Sequence, residues 1–144
     1  MALNGFTDAW QTKLLNYLKE AAQAAAGADA AAFSPTAWEV ALFTNVPSFD
    51  GTTAPVEVSG GSYARLSIAA ASWSVAGGTM SNASTVLWPT ATANWGTVLS
   101  VGLYNADTAE LAAIRELPTP QTINNGETYQ QAAGSVTLTL SQET

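Results

Sequence analysis

The chain contains no cysteine and no histidine, and only 10% of its 144 residues are charged. Without cysteine there can be no disulfide framework, no thiolate metal site and no cysteine nucleophile. Without histidine the chain lacks the commonest general base and the commonest metal ligand of proteins. These two absences exclude most catalytic and metal-binding arrangements, and we predict neither a cofactor nor a bound metal.

Basic residues are also scarce: four Lys and Arg stand against eleven Asp and Glu, which gives a formal net charge of −7. This balance repels a phosphate backbone, so nucleic acid is not expected as a partner. The sequence has no run of about 18 apolar residues, which argues against a membrane span. Its N-terminus lacks the basic-then-apolar order of a secretory signal, so we expect a protein made in the cytoplasm that has no membrane partner.

The eleven carboxylates do not form a recognisable catalytic pattern. Paired-acid catalysis needs two carboxyl groups about 5–10 Å apart across a cleft, and only Asp107 and Glu110 lie close together, on either side of a predicted turn. Asp50, Asp107 and Glu127 carry the oxygen ligands that calcium prefers, but no stretch fits the EF-hand pattern. We predict that the protein is not an enzyme, with a carboxylate-pair glycan hydrolase as an alternative.

Apolar residues, in contrast, make up 47% of the chain. Between Phe6 and Ala26 they recur at spacings of three and four, which predicts an amphipathic helix within residues 1–27. Thr7 can cap the start of this helix, and Gly27 is a natural stop. The apolar face packs against the domain's own sheet or contacts another subunit.

Residues 28–36 predict a linker, and residues 37–144 predict the β-rich part of a single domain. Short runs of strand-like periodicity recur there at near-regular spacing, which predicts an antiparallel sandwich or barrel. These runs are Trp38–Phe43, Ser62–Ala70, Trp73–Val75, Thr85–Trp88, Val98–Tyr104, Leu111–Leu117 and Ser135–Leu140. The long loop between the first two runs, Thr44–Pro55, is of a length that is often functional.

The five tryptophans are candidates for two roles. Each lies beside a strand or helix pattern, and a small β-domain needs large side chains to fill its interior, which favours a place in the core. The alternative is a stacking platform for sugars. The residues concerned are Trp10, Trp38, Trp73, Trp88 and Trp95.

Several motifs follow one another in a fixed order along the chain. They are Gly60-Gly61-Ser62-Tyr63-Ala64-Arg65, Trp88-Pro89, Trp95-Gly96-Thr97-Val98, Val101-Gly102-Leu103-Tyr104-Asn105-Ala106, Ile123-Asn124-Asn125-Gly126-Glu127-Thr128 and the closing Ala132–Leu140. Their order resembles a family of small tailed-bacteriophage virion proteins, usually labelled tail-fibre proteins. Similar small β-proteins serve as head decoration or cement proteins. The resemblance implies a non-enzymatic structural protein of the virion, mainly β, with an antiparallel jelly-roll-like sandwich and one N-terminal amphipathic α-helix.

From this resemblance we expect a capsid decoration, or cement, protein that binds the major capsid protein and stabilises the shell. Homo-oligomers are usually cyclic, so a dimer or trimer is expected. The alternative is a tail-fibre or baseplate-associated protein that contacts host-surface glycans. The candidate contact residues are Trp10, Leu14 and Tyr17 on the helix, and Asn45, Phe49 and Asp50 in the long loop.

Overall fold

A computed structural model of the chain describes residues 4–12 and 35–139. Two predicted contact residues, Leu14 and Tyr17, lie outside the described residues. The predicted end of the helix at Gly27 and most of the predicted linker do so too.

The described chain consists mainly of β-strands, with one short helix near the N-terminus. The strands are β1 (Asn4–Phe6), β2 (Ala37–Phe43), β3 (Leu66–Ala69), β4 (Trp73–Ala76), β5 (Thr79–Asn82), β6 (Val86–Leu87), β7 (Gly96–Asn105), β8 (Glu110–Ile123), β9 (Gln130–Gln131) and β10 (Thr137–Thr139). The described part of helix α1 covers residues 8–12, and a 3-10 turn, Ala70–Ser72, separates β3 from β4.

The strands form three antiparallel sheets. A five-stranded sheet has the order β1-β8-β7-β2-β3, a three-stranded sheet has the order β10-β5-β4, and β6 pairs with β9. The predicted mainly β, antiparallel fold is therefore confirmed. The jelly-roll arrangement of these strands stays a prediction.

The N-terminal helix begins at Asp8, directly after the predicted cap at Thr7, so Phe6 lies outside it. Phe6 belongs to β1 and lies opposite Ala113 in the edge pairing of β1 with β8. The hydroxyl of Thr7 then accepts a hydrogen bond from the backbone N–H of Trp10 at 3.4 Å, as an N-cap side chain does. The predicted capping residue is thus confirmed, while the first apolar residue of the stripe pairs in a sheet.

The predicted hairpin between β7 and β8 is confirmed, and its turn is built by polar side chains. Asn105 Oδ1 accepts hydrogen bonds from the N–H groups of Asp107 and Thr108, at 2.8 and 3.2 Å. The carboxylate of Asp107 in turn accepts from the N–H and the hydroxyl of Thr36, at 2.8 and 2.7 Å. The turn therefore also fixes the start of β2.

Strand β8 runs past its predicted end at Leu117 and includes two prolines. The pairing with β7 passes from Ser100 opposite Glu116 to Val98 opposite Gln121, so a wide irregularity separates the two parts of the hairpin. Pro118 and Pro120 lie inside this irregularity, where no ladder hydrogen bond requires the backbone N–H that proline lacks. The far part of β8 is consequently exposed at residues 118–122.

The main core lies between the five-stranded sheet and the two smaller sheets. Four tryptophans, Trp10, Trp38, Trp88 and Trp95, are at most 9% exposed, and the half-buried Trp73 packs against the core that they belong to. The predicted core role of the tryptophans is confirmed. Among the described residues, the large apolar side chains that are most exposed are Val56, Val75 and Leu87.

Candidate functional site

The loop that follows β2 meets the start of helix α1, so the fold brings two predicted contact regions together. The N–H of Asp8 donates to the carbonyl of Phe49 at 3.1 Å, and the half-buried Phe49 ring lies beside Gly5 of β1. Trp10, however, is only 2% exposed, and its ring centroid lies 5.3 Å from that of Trp38. The indole of Trp10 is therefore part of the core, and the loop supplies the accessible part of the predicted surface.

Asn45 holds the two ends of this loop together. Its amide donates to the carbonyl of Ala54 at 2.8 Å and accepts from the N–H of Val56 at 2.8 Å. Its own carbonyl accepts a hydrogen bond of 2.6 Å from the hydroxyl of Ser100, a fully buried residue of β7. The side chain of Asn45 therefore shapes the loop, and its backbone carbonyl joins the loop to the sheet.

Asp50 organises the tip of the same loop. One carboxylate oxygen accepts from the hydroxyl of Ser48 at 2.6 Å, and from the N–H and hydroxyl of Thr52 at 2.9 and 2.7 Å. These hydrogen bonds, first from Ser48 and then from Thr52, lower the pKa of Asp50 from 3.8 to about 2. The exposed carboxylate is thus fully charged at neutral pH and holds a preorganised loop tip.

The lowered pKa of Asp50 predicts a pH-dependent contribution to stability. A carboxyl group whose pKa is lower in the folded state stabilises the fold above its unfolded pKa, and this contribution is lost as pH falls through the folded pKa. We expect the unfolding free energy of the parent to exceed that of D50N at neutral pH, and the difference to shrink between pH about 4 and about 2. Urea unfolding across this range measures it. The S48A/T52A variant keeps the carboxylate and the backbone N–H of residue 52 but removes both hydroxyl donors, so it should lose part of the same pH dependence. An unchanged profile in either variant would contradict the assignment.

The Gly60-Gly61-Ser62-Tyr63-Ala64-Arg65 motif forms a turn in place of the predicted start of a strand. Gly60, Gly61 and Ser62 all have positive φ, of 74°, 56° and 67°, so β3 begins only at Leu66. The carbonyl of Gly61 accepts from the indole N–H of Trp95 at 2.8 Å, and a Cβ at Gly61 would lie 2.9 Å from that nitrogen. Glycine is required here by both backbone conformation and close approach.

The second half of this motif supplies a polar cluster on the five-stranded sheet. Arg65 binds the Glu57 carboxylate through Nε at 2.9 Å and Nη2 at 2.8 Å, and its guanidinium carbon lies 3.6 Å from the centre of the Tyr104 ring. The hydroxyl of Tyr63 donates to Glu57 and accepts from the N–H of Leu42, both at 2.9 Å. Burial raises the pKa of Tyr63, and the hydrogen bonds of Glu57 raise that of Arg65. The cluster fixes β2 to the following segment, and its groups are already paired with one another.

A polar groove of about 470 Å³ lies between the far half of β8 and the segment that leads into β9. Its polar side chains are amides and hydroxyls, with one arginine. The amides and hydroxyls belong to Thr119, Gln121, Thr128, Tyr129, Gln130, Gln131 and Ser135. The groove is open to solvent, since Gln121, Thr128 and Gln130 are all exposed.

Tyr129 is the aromatic residue of this groove, and its position is fixed from two sides. Its ring centroid lies 5.6 Å from that of the buried Trp88. Its hydroxyl accepts a hydrogen bond from the Gln131 amide, whose oxygen accepts from the hydroxyl of Ser135 at 3.1 Å. Burial raises the pKa of Tyr129, and the hydrogen bond from Gln131 and the charge of Arg115 oppose that rise. The phenol therefore stays neutral, as a donor and acceptor.

Comparison with known protein families assigns this chain to one of them. The chain matches the family model of the podophage GP4 fiber I protein gp80 over residues 5–139, a range that includes every strand except the first residue of β1. The chain belongs to this phage tail-fibre protein family. A search of curated proteins finds no match.

Membership of the fiber family confirms several of the predictions. The protein is a structural component of the virion and not an enzyme. The family supports a tail-fibre role, which was the alternative, in place of the capsid decoration that was the first expectation. The carboxylate-pair hydrolase is set aside for the same reason.

None of the groove residues of the fiber protein was predicted from the sequence as a contact residue, and only Arg115 carried a signal. It alternates with Ala113 and Leu117, which are both buried, so it occupies a position of β8 where an apolar residue is expected. A charged residue at a strand position where buried apolar residues are expected was the signal in the sequence that could have pointed to this site. Gln121 and Gln130 gave no comparable signal, because exposed amides are ordinary in a loop or an edge strand, and the burial of Gln131 cannot be read from the sequence around it.

The described part of the fiber protein offers neither a metal site built from acidic side chains nor a membrane-spanning helix. Residues 4–12 and 35–139 contain no group of three or more Asp and Glu side chains that could hold a metal ion. Across the same residues, no helix has the length and apolar character needed to cross a membrane.

Proposed function

We propose that this chain is the part of a tail fibre that contacts the host surface, and that it binds a surface glycan in the groove beside Tyr129. The observation that carries the proposal is the chemistry of the groove. A binding site for a small or extended ligand is a concavity with a few well-placed polar groups. This groove combines one aromatic ring with several amides and hydroxyls.

An aromatic ring beside amides and hydroxyls is suited to binding a sugar. Each sugar hydroxyl both donates and accepts hydrogen bonds, and side-chain amides and hydroxyls can do the same in return. Tyr129 adds a half-buried ring that is held against Trp88, so its orientation does not have to be fixed by the ligand. The buried tryptophans do not offer a stacking platform, which favours the groove as the place of contact.

The proposal predicts binding of host polysaccharide to the purified chain. Surface polysaccharide extracted from the bacterium that the phage infects is passed over the immobilised chain, and affinity is measured for the parent and for Q121A/Q130A. Both glutamines are exposed, so their removal should not affect folding. We expect a loss of about tenfold, because each hydrogen bond contributes about 0.5–1.5 kcal/mol.

The matched control for this experiment is T53A, which removes a hydroxyl from the loop after β2, outside the groove. It should bind as the parent does. If no host polysaccharide binds the parent, the proposed function is wrong. If Q121A/Q130A keeps the parent affinity, the groove is not the site of contact.

We also propose that the chain self-associates as a dimer or trimer through strand β3, at one edge of the five-stranded sheet. In the described residues β3 is paired on one side only, by β2, and an open groove of about 330 Å³ separates it from β6. Leu87 of β6, which is 55% exposed, borders this groove. An unpaired strand edge beside exposed apolar surface is suited to pairing with another chain. The molecular mass of the purified chain in solution tests this, and a monomer at all concentrations would contradict it.

A further inference from the structure

The two arginines of the chain lie in opposite electrostatic environments. Arg65 is bound by the carboxylates of Glu57 and Glu39, at 2.8 and 3.5 Å, and lies over the Tyr104 ring. Arg115 is half-buried, yet no ion pair joins it to a carboxylate among residues 4–12 and 35–139. A chain with eleven acidic residues thus leaves one of its four basic residues without an acidic partner in the described structure.

The sheet register places Arg115 on the core side of β8. Arg115 lies opposite Val101 of β7, which lies opposite Leu42 of β2, and residues that face one another across antiparallel strands project from the same side. Both of these neighbours are buried. Arg115 also borders the small cavity lined by Leu103 and Leu138, so it stands between apolar core and open groove.

A cation in this position is unfavourable unless it gains a counter-ion. Partial burial removes water from the guanidinium, and this cost is offset only by a well-placed partner. The polar groups around it in the groove are neutral amides and hydroxyls, and Tyr129 is kept neutral by burial. The described part of the groove therefore lacks a negative group that could satisfy Arg115, and a ligand can supply one.

The guanidinium selects the kind of anion. Its planar fork matches a carboxylate through two parallel N–H···O bonds, which gives both energy and orientation. The amides and hydroxyls around it are suited to the remaining hydroxyls of a sugar ring. We propose that Arg115 makes this groove selective for acidic saccharides, with the guanidinium bound to a uronate-type carboxylate; this rests on the proposed function, whose glycan it specifies.

The test compares two probes that differ only in the carboxylate. Oligomers of polygalacturonate carry one carboxylate per sugar, and their methyl-esterified form has the same sugars without the charge. We expect the parent to bind the charged form at least tenfold more tightly than the ester, and this preference to weaken at high ionic strength. The net charge of −7 opposes unspecific attraction of a polyanion, so a preference for the charged probe has to come from a local contact.

Three variants identify the contact. R115Q should lose the preference for the charged probe, and R115K should keep part of it, because lysine retains the charge without the planar fork. T53D changes the net charge by the same amount as R115Q, at an exposed residue outside the groove, and should bind as the parent does. Circular dichroism and thermal unfolding establish that each variant is folded, and R115K retains the test if R115Q does not fold.

The outcomes separate this inference from the proposed function. If the parent binds both probes equally, or if folded R115Q keeps the preference, the inference is wrong. If host polysaccharide binds the parent and R115Q alike, the proposed function stands and the inference fails. If neither host polysaccharide nor either probe binds, both fail. A change of oligomeric mass in R115Q, without any sugar binding, would show that Arg115 instead pairs with a protein carboxylate and would overturn the inference.

Discussion

Replacing Gly102 by alanine is expected to lower the free energy of unfolding by about 3 kcal/mol, at the upper end of the usual cost of overpacking a core. Gly102 lies in β7 opposite Ala41 and Ile114, on the side of the sheet where Phe43 and Tyr104 pack. A Cβ at this position would lie 2.5 Å from Cζ of Phe43 and 3.0 Å from Cδ1 of Leu111. Real Cβ atoms do not approach ring carbons this closely, so the Phe43 ring has to move.

Phe43 has little room to move. It is fully buried, and its ring meets that of Tyr104 edge-on with centroids 6.3 Å apart. The Arg65 guanidinium lies over the Tyr104 ring. A shift of Phe43 that displaces Tyr104 therefore also disturbs the ion pair of Arg65 with Glu57. The cost of one added methyl group is therefore spread over the polar cluster.

The chain offers a matched control for this substitution in Gly5. A Cβ at Gly5 would meet only Cζ of Phe49, at an ordinary contact distance of 3.6 Å. Chemical denaturation should show G5A close to the parent and G102A strongly destabilised. Replacing the ring by the smaller leucine side chain, in the double variant F43L/G102A, should recover part of the lost stability, since the effects of substitutions at residues in contact are not additive. Additive losses in F43L/G102A would contradict the proposed clash.

Replacing Asn82 by alanine is expected to lower the free energy of unfolding by about 3 kcal/mol or more, because it leaves buried polar groups without partners. Asn82 is 1% exposed. Its amide donates to the carbonyls of Ser84 and Ala132, at 2.7 and 3.0 Å, and accepts from the N–H of Val136 at 2.9 Å. One side chain thus joins the end of β5 to the segment between β9 and β10.

Asn125→Ala is the control for Asn82→Ala, because it removes the same side chain from an exposed turn. Thermal and urea unfolding should show a lowered midpoint for N82A and almost no change for N125A. Equal stability of the two variants would mean that the hydrogen bonds of Asn82 contribute nothing net.

The parts of the fold that were predictable are those with local signals. The β7–β8 hairpin was predicted because Asn105 and Asp107 are turn residues between two apolar runs, and both side chains do shape the turn. The N-cap at Thr7 was predicted for the same kind of reason. Burial of the tryptophans followed from their size, which a small β-domain needs in its interior.

The parts that were missed depend on contacts between distant residues. Strand β1 is three residues long and has no periodicity of its own, so its pairing with β8 leaves no trace in the local sequence. Ser62–Arg65 alternate as a strand does, but the positive φ angles before Tyr63 turn the chain away. The groove was missed because its two sides come from β8 and from the segment that leads into β9, and only the fold places them together.

The edge pairing of β1 also constrains when this protein can fold. Thr7, which directly follows β1, donates its hydroxyl to the carbonyl of Leu111, a residue 104 positions later in the chain. β1 leaves the ribosome before β8, and its partner residues in β8 follow only about 100 residues later. Contacts of such high sequence separation slow folding, because a long loop has to be closed before they form. The five-stranded sheet can therefore be completed only once β8 has left the ribosome, and until then the growing chain carries open strand edges that have to be kept from pairing with other chains.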